Sequence, residues 1–292
     1  MGGYNFEEYR VEDTYTKFVK TAQDSGYFSG DLVLKCIGNS IYLQNIVDEE
    51  DYVISCTQNV VQQDTMKEYI KAVAVIIRTY LYHLISENIY MFPDSLPYWK
   101  YTGVGNISKL VETAVKETNG EVLTYIGTPI YPFITYCTGG FTVPYEEIFG
   151  DTLAYSISVE DSLSRNCPFF TWKIKIPVEE IKYFTGIEKL DSVKIINFTT
   201  HLIPDTIVFY KGDDKLVLRG PALYQTLYPR LPSPSFQIEM TGDTLVFEGK
   251  GKGILIGLPL WSAKQMALNG ESYSKILNYY FPVSELTKIT SR

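Results

Sequence analysis

Tyr69-Ile-Lys71-Ala-Val-Ala-Val-Ile-Ile-Arg78-Thr79-Tyr80 is the stretch of sequence that decides the fold. Apolar residues recur every three or four positions from Met66 to Leu84, which places them on one face of a helix. Further small and apolar residues lie between them and widen that face. The pattern therefore predicts a long, central and buried helix over residues 65–87.

This helix begins at a candidate capping box, Thr65-Met-Lys-Glu68. In such a box the first side chain accepts a hydrogen bond from the Glu68 amide, and the Glu68 carboxylate reaches back to the Thr65 amide. We therefore interpret Glu68 as a capping acid. Lys71 and Arg78 are seven residues apart and share a face, where they either line a groove or pair with carboxylates.

Shorter elements are predicted on both sides of the central helix. Strands 31–36 and 40–46 form a hairpin across Gly38-Asn39, and a weak helical pattern covers residues 9–22. Further helices are predicted at 107–118, 145–149, 178–184, 260–268 and 273–280, and further strands at 121–125, 130–137, 169–176, 193–199, 206–210, 215–218, 236–240 and 245–248. Because no regular βαβ rhythm appears, the fold class is α+β, a long central helix with antiparallel hairpins around a groove.

Composition excludes some classes of function. The chain has 292 residues and a net charge of −8, without a long Lys/Arg run, so nucleic acid is not an expected partner. Only 2 histidines are present, which leaves little material for a metal site or a nucleophilic triad. We predict no metal and no cofactor. The 24 Tyr and 15 Phe favour core and hairpin packing over sugar stacking.

The cysteines and the apolar runs bear on location. Cys36, Cys56, Cys137 and Cys167 form no CxxC pair, so buried free thiols are the first interpretation, although spacing does not decide whether two of them pair. No signal peptide follows Met1. The most apolar long run, 69–85, is too short and too charged to cross a bilayer.

Three segments, taken together and in order, resemble the stage II sporulation protein D family, also called the SpoIID/LytB domain. The central helix is similar to the family's A-L-K-A-Q-A-V-A-A-R-T-Y. The second segment is similar to the family's G-x-V-L-x-Y-x-G-x-P-I and S-G-G-x-T, and the third to its G-x-G-H-G-V-G-M-S-Q-Y-G-A-x-x-M-A and G-x-S-Y-x-x-I-L-x-x-Y-Y. They read here as Gly120-Glu-Val-Leu-Thr-Tyr-Ile-Gly-Thr-Pro-Ile130 with Thr138-Gly-Gly-Phe-Thr142, and as Gly251-Lys-Gly253 with Trp261-Ser-Ala-Lys-Gln-Met-Ala267 and Gly270-Glu-Ser-Tyr-Ser-Lys-Ile-Leu-Asn-Tyr-Tyr280.

The resemblance implies lytic transglycosylase chemistry on peptidoglycan, in which a protonated Glu donates to the glycosidic oxygen. The family places that acid eighteen residues before the helix arginine, and the position is Val60 here. Asp51 and Asp64 are out of register by several positions. In the third segment the family's His, Ser and Gln fall on Ile254, Pro259 and Leu260. The resemblance therefore implies a member that lacks the catalytic Glu.

Other polar and aromatic family positions are retained. The resemblance makes these the candidate substrate-binding residues: Glu68, Lys71, Arg78, Gly139, Gly140, Thr142 and Trp261. Each also has a structural interpretation, such as a tight turn at the glycines or core packing at the tryptophan. We expect His83 and His201 to be structural.

The resemblance covers roughly residues 30–285, so we expect an N-terminal extension at 1–29, one SpoIID/LytB-like domain at 30–285 and a tail at 286–292. The leading hypothesis is a catalytically inactive protein that binds a peptidoglycan glycan strand or a cell-wall amidase, in sporulation or cell-wall remodelling. One alternative is an active enzyme with a relocated acid, Asp64 or Glu68; another is a cytoplasmic interaction protein. We expect the cell envelope, outside the cytoplasm, if a leader has been trimmed, and otherwise the cytoplasm.

Overall fold

The computed structural model describes residues 8–11, 15–21, 24–37, 40–93, 99–186 and 190–289. The chain divides into two compact units. Unit 1 comprises residues 1–131, 272–274 and 285–292, and unit 2 comprises residues 132–271 and 275–284. Helices and antiparallel sheets are mixed in the chain, so the α+β prediction is confirmed.

The described residues of unit 1 form three helices and several short sheets. Its elements are β1 (Glu8–Val11), β2 (Tyr15–Thr21), β3 (Asp24–Ser29), β4 (Asp31–Ile37), β5 (Ser40–Ile46), α1 (Glu49–Val61), α2 (Lys67–Ser86), α3 (Lys109–Glu117), β6 (Glu121–Tyr125) and β7 (Thr128–Pro129), to which β16 (Glu285–Lys288) is added from the end of the chain. The sheets have the orders β1-β4-β5, β2-β3 and β16-β6-β7, and all their pairings are antiparallel.

The long helix α2 forms the core of unit 1, as the apolar pattern predicts. It packs against α1, α3 and β6, and the residues from Ala72 to Thr79 are all buried. The Thr79 hydroxyl donates to the Val75 carbonyl at 2.6 Å and accepts from the Leu123 amide at 2.9 Å. A buried hydroxyl with both a donor and an acceptor partner carries no desolvation penalty, so it fixes the strand to the helix.

Unit 2 contains the remaining elements. They are β8 (Ile134–Thr135), α4 (Tyr145–Phe149), a 3-10 helix (Ser162–Asn166), β9 (Thr171–Pro177), α5 (Val178–Thr185), β10 (Ser192–Phe198), β11 (Pro204–Lys211), β12 (Asp214–Leu218), α6 (Gly220–Leu227), β13 (Phe236–Thr241), β14 (Thr244–Lys250), β15 (Leu258–Pro259), α7 (Leu260–Leu268) and most of α8 (Tyr273–Tyr280). The sheets β10-β11-β12 and β13-β14-β9 are antiparallel, and β8 pairs with β15 in parallel.

The core of unit 2 lies between these sheets and helices α5 and α6. One hydrophobic cluster joins buried side chains from all of them, and we call it the unit 2 cluster: Ile176, Ile181, Leu190, Ile207, Phe209, Leu223, Tyr224, Leu227, Leu231, Phe236, Ile238, Leu245 and Phe247.

Two sequence predictions about elements are wrong, and some elements were missed. The described part of residues 9–22 is in strands β1 and β2, with no helix there. The strand predicted at 130–137 shortens to Ile134–Thr135, because Pro129 and Pro132 lack the amides that a ladder needs. Helices α1 and α6 and strand β16 were not predicted.

The search for membrane-spanning helices covered the described residues. Within that part of the chain, none of the helices has the length and apolarity needed to cross a bilayer.

Candidate functional site

The residues that the resemblance singles out are divided between the two units. Val60, Asp64, Glu68, Lys71 and Arg78 belong to unit 1. The others belong to unit 2: Gly139, Gly140, Thr142, Ile254, Pro259, Leu260 and Trp261.

Val60 is half-buried near the C-terminal end of α1. The polar side chains just before it are engaged with neighbouring backbone and loops: Gln58 Oε1 accepts from the Ser108 amide at 2.8 Å, and Asn59 Nδ2 donates to Thr102 Oγ1 at 2.9 Å. The position that the resemblance assigns to the acid therefore carries an aliphatic side chain, which has no proton to donate.

Asp64 and Glu68, the candidates for a relocated acid, both accept backbone hydrogen bonds. Asp64 Oδ1 accepts from the Met66 amide at 2.9 Å. Glu68 Oε2 accepts from the Tyr273 amide at 2.9 Å, and Glu68 Oε1 lies 3.1 Å from Lys71 Nζ. Both Glu68 oxygens thus face donors, so the side chain is arranged as an acceptor.

The predicted capping box is wrong. Helix α2 begins at Lys67, two residues later than expected, and its N-cap Met66 provides no side-chain hydrogen bond. Glu68 instead accepts from the first residue of α8, whose amide has no partner inside its own helix. A carboxylate at a helix N-terminus is also favoured by the helix dipole, so Glu68 caps α8 rather than α2.

Lys71 pairs with carboxylates, which is one of its two sequence interpretations. Its Nζ lies 2.9 Å from Glu117 Oε2 and 3.1 Å from Glu68 Oε1, and 5.3 Å from the centre of the Tyr273 ring. Burial alone lowers the pKa of Lys71, but the hydrogen bonds and charges of Glu117 and Glu68 outweigh it and leave the pKa raised. The ammonium group is therefore held in its charged form by its neighbours.

Arg78 is fully buried, and its guanidinium has a protein acceptor for each of its five N–H groups. Nε and Nη2 bind Glu50 at 2.6 and 2.8 Å, and the other donors reach the carbonyls of Val115, Thr118 and Glu121 at 3.2, 2.8 and 3.3 Å. Two of these carbonyls, those of Val115 and Thr118, lie at the C-terminal end of α3. Arg78 therefore ties α1, α2 and α3 together, and a role for it in substrate binding stays a prediction.

In unit 2, Gly139 and Gly140 form a turn with φ of +74° and +130°. A Cβ at Gly139 would lie 2.6 Å from the Lys250 Cβ, so only glycine fits there. The Gly140 carbonyl accepts from the Asp161 amide at 2.7 Å. The structural interpretation of Gly139 follows from this close approach.

Asp161 is a buried carboxylate beside this turn, and sequence analysis did not single it out. Its Oδ2 accepts from the Thr138 hydroxyl at 2.7 Å and its Oδ1 from the Tyr280 hydroxyl at 3.0 Å. Burial, and then the charge of Asp161, raises the pKa of Tyr280. Nothing in the order of residues reveals this network, because its members are far apart in the chain.

Thr142 is buried and its hydrogen bonds are internal. Its hydroxyl accepts from the Val159 amide at 2.8 Å, and its own amide donates to the Val159 carbonyl at 2.9 Å. Thr142 therefore joins two loops, and a contact between Thr142 and substrate stays a prediction.

The second and third motifs meet in unit 2. Cys137 and Lys252 exchange backbone hydrogen bonds of 3.0 and 2.8 Å, and Thr135 Oγ1 donates to the Lys252 carbonyl at 3.0 Å and accepts from the Leu255 amide at 3.0 Å. A Cβ at Gly251 would lie 2.6 Å from the Cys137 carbonyl oxygen, which explains that glycine. These two motifs lie far apart in the sequence, and folding brings them into contact within unit 2.

The apolar replacements in the third motif lie inside this region. Ile254 is half-buried and packs against the unit 2 cluster, and Pro259 is buried at the end of β15. Leu260 is the half-buried first residue of α7. These side chains contribute packing, and none of them offers a hydrogen bond to a ligand.

A strip of aromatic and lysine side chains borders the glycine turn, and we call it the aromatic strip: Tyr136, Phe169, Phe170, Trp261, Lys250 and Lys252. Lys252 Nζ lies 4.0 Å from the centre of the Phe169 ring and 5.2 Å from that of Tyr136, and Lys250 Nζ lies 6.0 Å from that of Phe170. Trp261 is half-buried with its ring centre 6.5 Å from that of Tyr136. Of these residues, sequence analysis identified only Trp261.

The aromatic strip continues into an open cleft of about 520 Å³ beside sheet β13-β14-β9. Aromatic and polar side chains share its lining: Thr171, Trp172, Lys173, Phe198, Leu202, Ser235, Phe236, Gln237, Glu248, Gly249 and Lys250. A signal was present in the sequence, since Phe169-Phe-Thr-Trp172 contains three aromatic residues in four and Lys250-Gly-Lys252 places two lysines around a glycine.

Both histidines contact protein groups, as expected for structural histidines. His83 Nδ1 lies 3.1 Å from the Pro129 carbonyl oxygen, and His201 Nδ1 lies 2.6 Å from Glu147 Oε1. Within the described residues, no cluster of three or more histidine, cysteine or acidic side chains is arranged to hold a metal ion.

These features define a class: a mixed α+β protein in which a buried, arginine-bearing helix and a paired-glycine turn belong to separate compact units. A family model described as "Stage II sporulation protein" matches residues 38–125. Over that segment the chain is similar to the SpoIID family.

Individual relatives agree with this assignment. The chain is 26% identical over 270 residues to an uncharacterized protein of Brachyspira hyodysenteriae, covering 87% of this chain and 70% of that one. It is 23% identical over 257 residues to stage II sporulation protein D of Bacillus subtilis, covering 82% and 74%. It is also 24% identical over 272 residues to the amidase enhancer of Bacillus subtilis, covering 75% of this chain and 38% of that protein.

Proposed function

We propose that this chain is a catalytically inactive SpoIID-like protein of the cell envelope that binds peptidoglycan glycan strands without cleaving them. The observation that carries the proposal is Val60, an aliphatic side chain at the position that the resemblance assigns to the family's catalytic acid. Cleavage needs a carboxylic acid that donates a proton to the glycosidic oxygen, and valine cannot do so.

The relocated-acid alternative is weakened by the contacts of its two candidates. Both Glu68 oxygens face donors, the Tyr273 amide and the Lys71 ammonium group. Asp64 accepts from the Met66 amide. A general acid must present a proton to substrate, whereas these carboxylates already serve as acceptors within unit 1.

Binding is supported by the aromatic strip. Tyr136 is 36% exposed, and its ring packs edge-on against Phe169 with the ring centres 5.8 Å apart. Aromatic faces stack on sugar rings, and the ammonium groups of Lys250 and Lys252 suit the carboxylates that peptidoglycan carries on its lactyl and peptide substituents. Among the residues carried over by the resemblance, Trp261 belongs to this strip, Gly139 and Gly140 border it, and Lys71 remains a candidate in unit 1.

The test combines a cleavage assay with a binding assay. Purified peptidoglycan is incubated with the protein, anhydro-muropeptides are sought by mass spectrometry, and co-sedimentation is measured in parallel. We expect sedimentation without anhydro products. Tyr136→Ala and Lys252→Ala should each weaken sedimentation about tenfold, since one such stacking or charge contact contributes roughly 1–2 kcal/mol.

A matched control is Tyr183→Ala, which removes a tyrosine 81% exposed on α5 of the same unit, away from the strip. It should sediment like the unaltered protein. Anhydro products from the unaltered protein would refute the loss of cleavage, and equal sedimentation of all variants would refute the binding surface.

A second candidate function is partnership with a cell-wall amidase, which the similarity to a protein named amidase enhancer favours. Adding the protein to an amidase that is digesting purified cell walls tests it. Faster digestion supports an enhancer role, and an unchanged rate argues against it. Fractionation of the source cells would then separate the envelope location from the cytoplasmic alternative.

A further inference from the structure

Two cysteines of unit 2 lie side by side next to the glycine turn. Cys137 precedes Thr138-Gly139-Gly140, and Cys167 follows the 3-10 helix. Cys137 Sγ lies 3.9 Å from the Ser164 carbonyl oxygen, which also accepts from the Cys167 amide at 2.9 Å. The Cys137 thiol also interacts with the Cys167 thiol. Both side chains are buried, with 0% and 5% of their surface exposed.

We propose that Cys137 and Cys167 are a disulfide site, oxidised when the protein encounters a disulfide donor. One thiolate attacks the donor's S–S bond, forming a mixed disulfide and releasing a thiol. The second thiolate then displaces the remaining donor sulfur, which leaves as a second thiol. The two cysteines lose two protons and two electrons, and the donor disulfide gains them.

The contacts around the two cysteines show which segments a disulfide between them would join. Cys137 exchanges two backbone hydrogen bonds with Lys252, and Asp161, one residue before the 3-10 helix, binds the Gly140 carbonyl. A covalent link would therefore fix the glycine turn to the loop that ends at Cys167. Because Phe169 and Tyr136 adjoin the two cysteines, the bond would also restrict the end of the aromatic strip.

The rate of oxidation should depend on opening of the fold. Burial, and then the hydrogen bond with Cys167, raises the pKa of the Cys137 thiol to about 12. The thiolate is the reactive form, so the closed, reduced protein should react slowly. Disulfide donors are abundant outside the cytoplasm and scarce inside it, so the oxidation state also reports the compartment.

The experiment uses the folded, reduced protein in a buffer of oxidised and reduced glutathione, with a low concentration of urea to speed local opening. After alkylation, trypsin is applied without reduction. Cleavage after Arg165 separates the two cysteines, so the link appears as peptide 117–165 joined to peptide 166–173. Cys36 and Cys56 remain together in peptide 36–67 and serve as an internal comparison.

We expect the joined pair of peptides as the main oxidised product. Recovery of Cys137 and Cys167 as separate alkylated peptides, as glutathione adducts, or joined to peptide 36–67 would overturn the proposal. These outcomes do not depend on whether the protein binds or cleaves peptidoglycan.

Stability gives a second measurement. The closed loop should raise Tm by roughly 5–10 °C relative to the reduced protein. Cys56→Ser is the matched control, because Cys56 is also buried but lies in α1 of unit 1. It should keep the difference between oxidised and reduced Tm, whereas Cys137→Ser combined with Cys167→Ser should abolish it. A difference that persists in the double variant would contradict the assignment.

Discussion

The two units differ in which residues of the family motifs they retain. Unit 1 retains the charged motif residues Lys71 and Arg78, but their charges are turned inward onto Glu117 and Glu50. In unit 2 the resemblance assigns Ile254, Pro259 and Leu260 to three polar family positions, and aromatic and lysine side chains border the glycine turn. A retained residue therefore does not by itself indicate a retained activity, and a lost one does not remove a binding surface.

The difference has a physical basis in burial. A buried ionic group must be compensated by partners within the protein, which makes it essential to the fold and unable to leave for a ligand. An exposed aromatic ring has no such obligation and can be used for recognition. The comparison therefore predicts large losses of stability for changes in the buried networks and changes in binding, not in stability, for the aromatic strip.

Arg78→Met gives the largest expected effect. It leaves Glu50 without its bidentate partner and strips donors from three buried carbonyls, so we expect a loss of about 3–5 kcal/mol in the free energy of unfolding. Urea denaturation followed by circular dichroism measures it. Lys173→Met is the control: it removes an exposed ion pair with Glu248 and should change stability little. Similar stability of both variants would show that Arg78 is not structural.

Tyr280→Phe tests the corresponding network in unit 2. Its hydroxyl donates to the buried Asp161, so its loss should cost about 1–3 kcal/mol. The neighbouring Tyr279→Phe removes a hydrogen bond to the Glu160 carbonyl from an exposed side chain and should cost no more than about 0.5 kcal/mol. If the two variants unfold at the same urea concentration, the Asp161 network does not stabilise unit 2.

Much of the fold could be predicted from the periodicity of apolar residues and from the turn residues between elements. Helices α7 and α8 were predicted with the bounds that the structure has, because Asn269-Gly270 separates two apolar patterns. Helix α1 was not predicted, because it is rich in β-branched and polar residues, which have low helix propensity. Its signal was at the start, where Asp48 caps the helix and acidic residues occupy the first turn.

The candidate site was less predictable, because contacts between distant segments decide the role of each side chain. The sequence placed Arg78 on a helix face but could not show Glu50 opposite it. It suggested that Glu68 caps a helix, but the helix it caps begins at Tyr273, far along the chain. The Val60 position was found by counting eighteen residues back from Arg78, without any contact between segments. Its assignment as the position of the missing acid stays a prediction.

Glu117→Gln in unit 1 should have a smaller effect on stability, and that effect should depend on pH. The hydrogen bonds from Lys67 and then Lys71 lower the pKa of Glu117, so its stabilising contribution is present above the usual carboxyl pKa of 4.5. The contribution is lost as pH falls from there through the lowered folded-state pKa. Unfolding measured from pH 2 to 7 should show a shallower acid decline for the variant than for the unaltered protein. Parallel curves would mean that Glu117 titrates alike in the folded and unfolded chains.

Val60→Glu should have the smallest effect, since we expect it to leave peptidoglycan uncleaved. It tests most directly whether the change in unit 1 alone accounts for the proposed loss of cleavage. It places an acid in unit 1 at the position that the resemblance assigns to the catalytic Glu. It leaves Ile254, Pro259 and Leu260 in unit 2, where the resemblance implies hydrogen-bonding side chains. A general acid works only when its surroundings hold its proton and orient it toward the leaving oxygen. We therefore expect no anhydro-muropeptides from the variant, with an active lytic transglycosylase as the positive control. Product from the single substitution would mean that the loss lay in unit 1 alone, and that the apolar positions of unit 2 still permit catalysis.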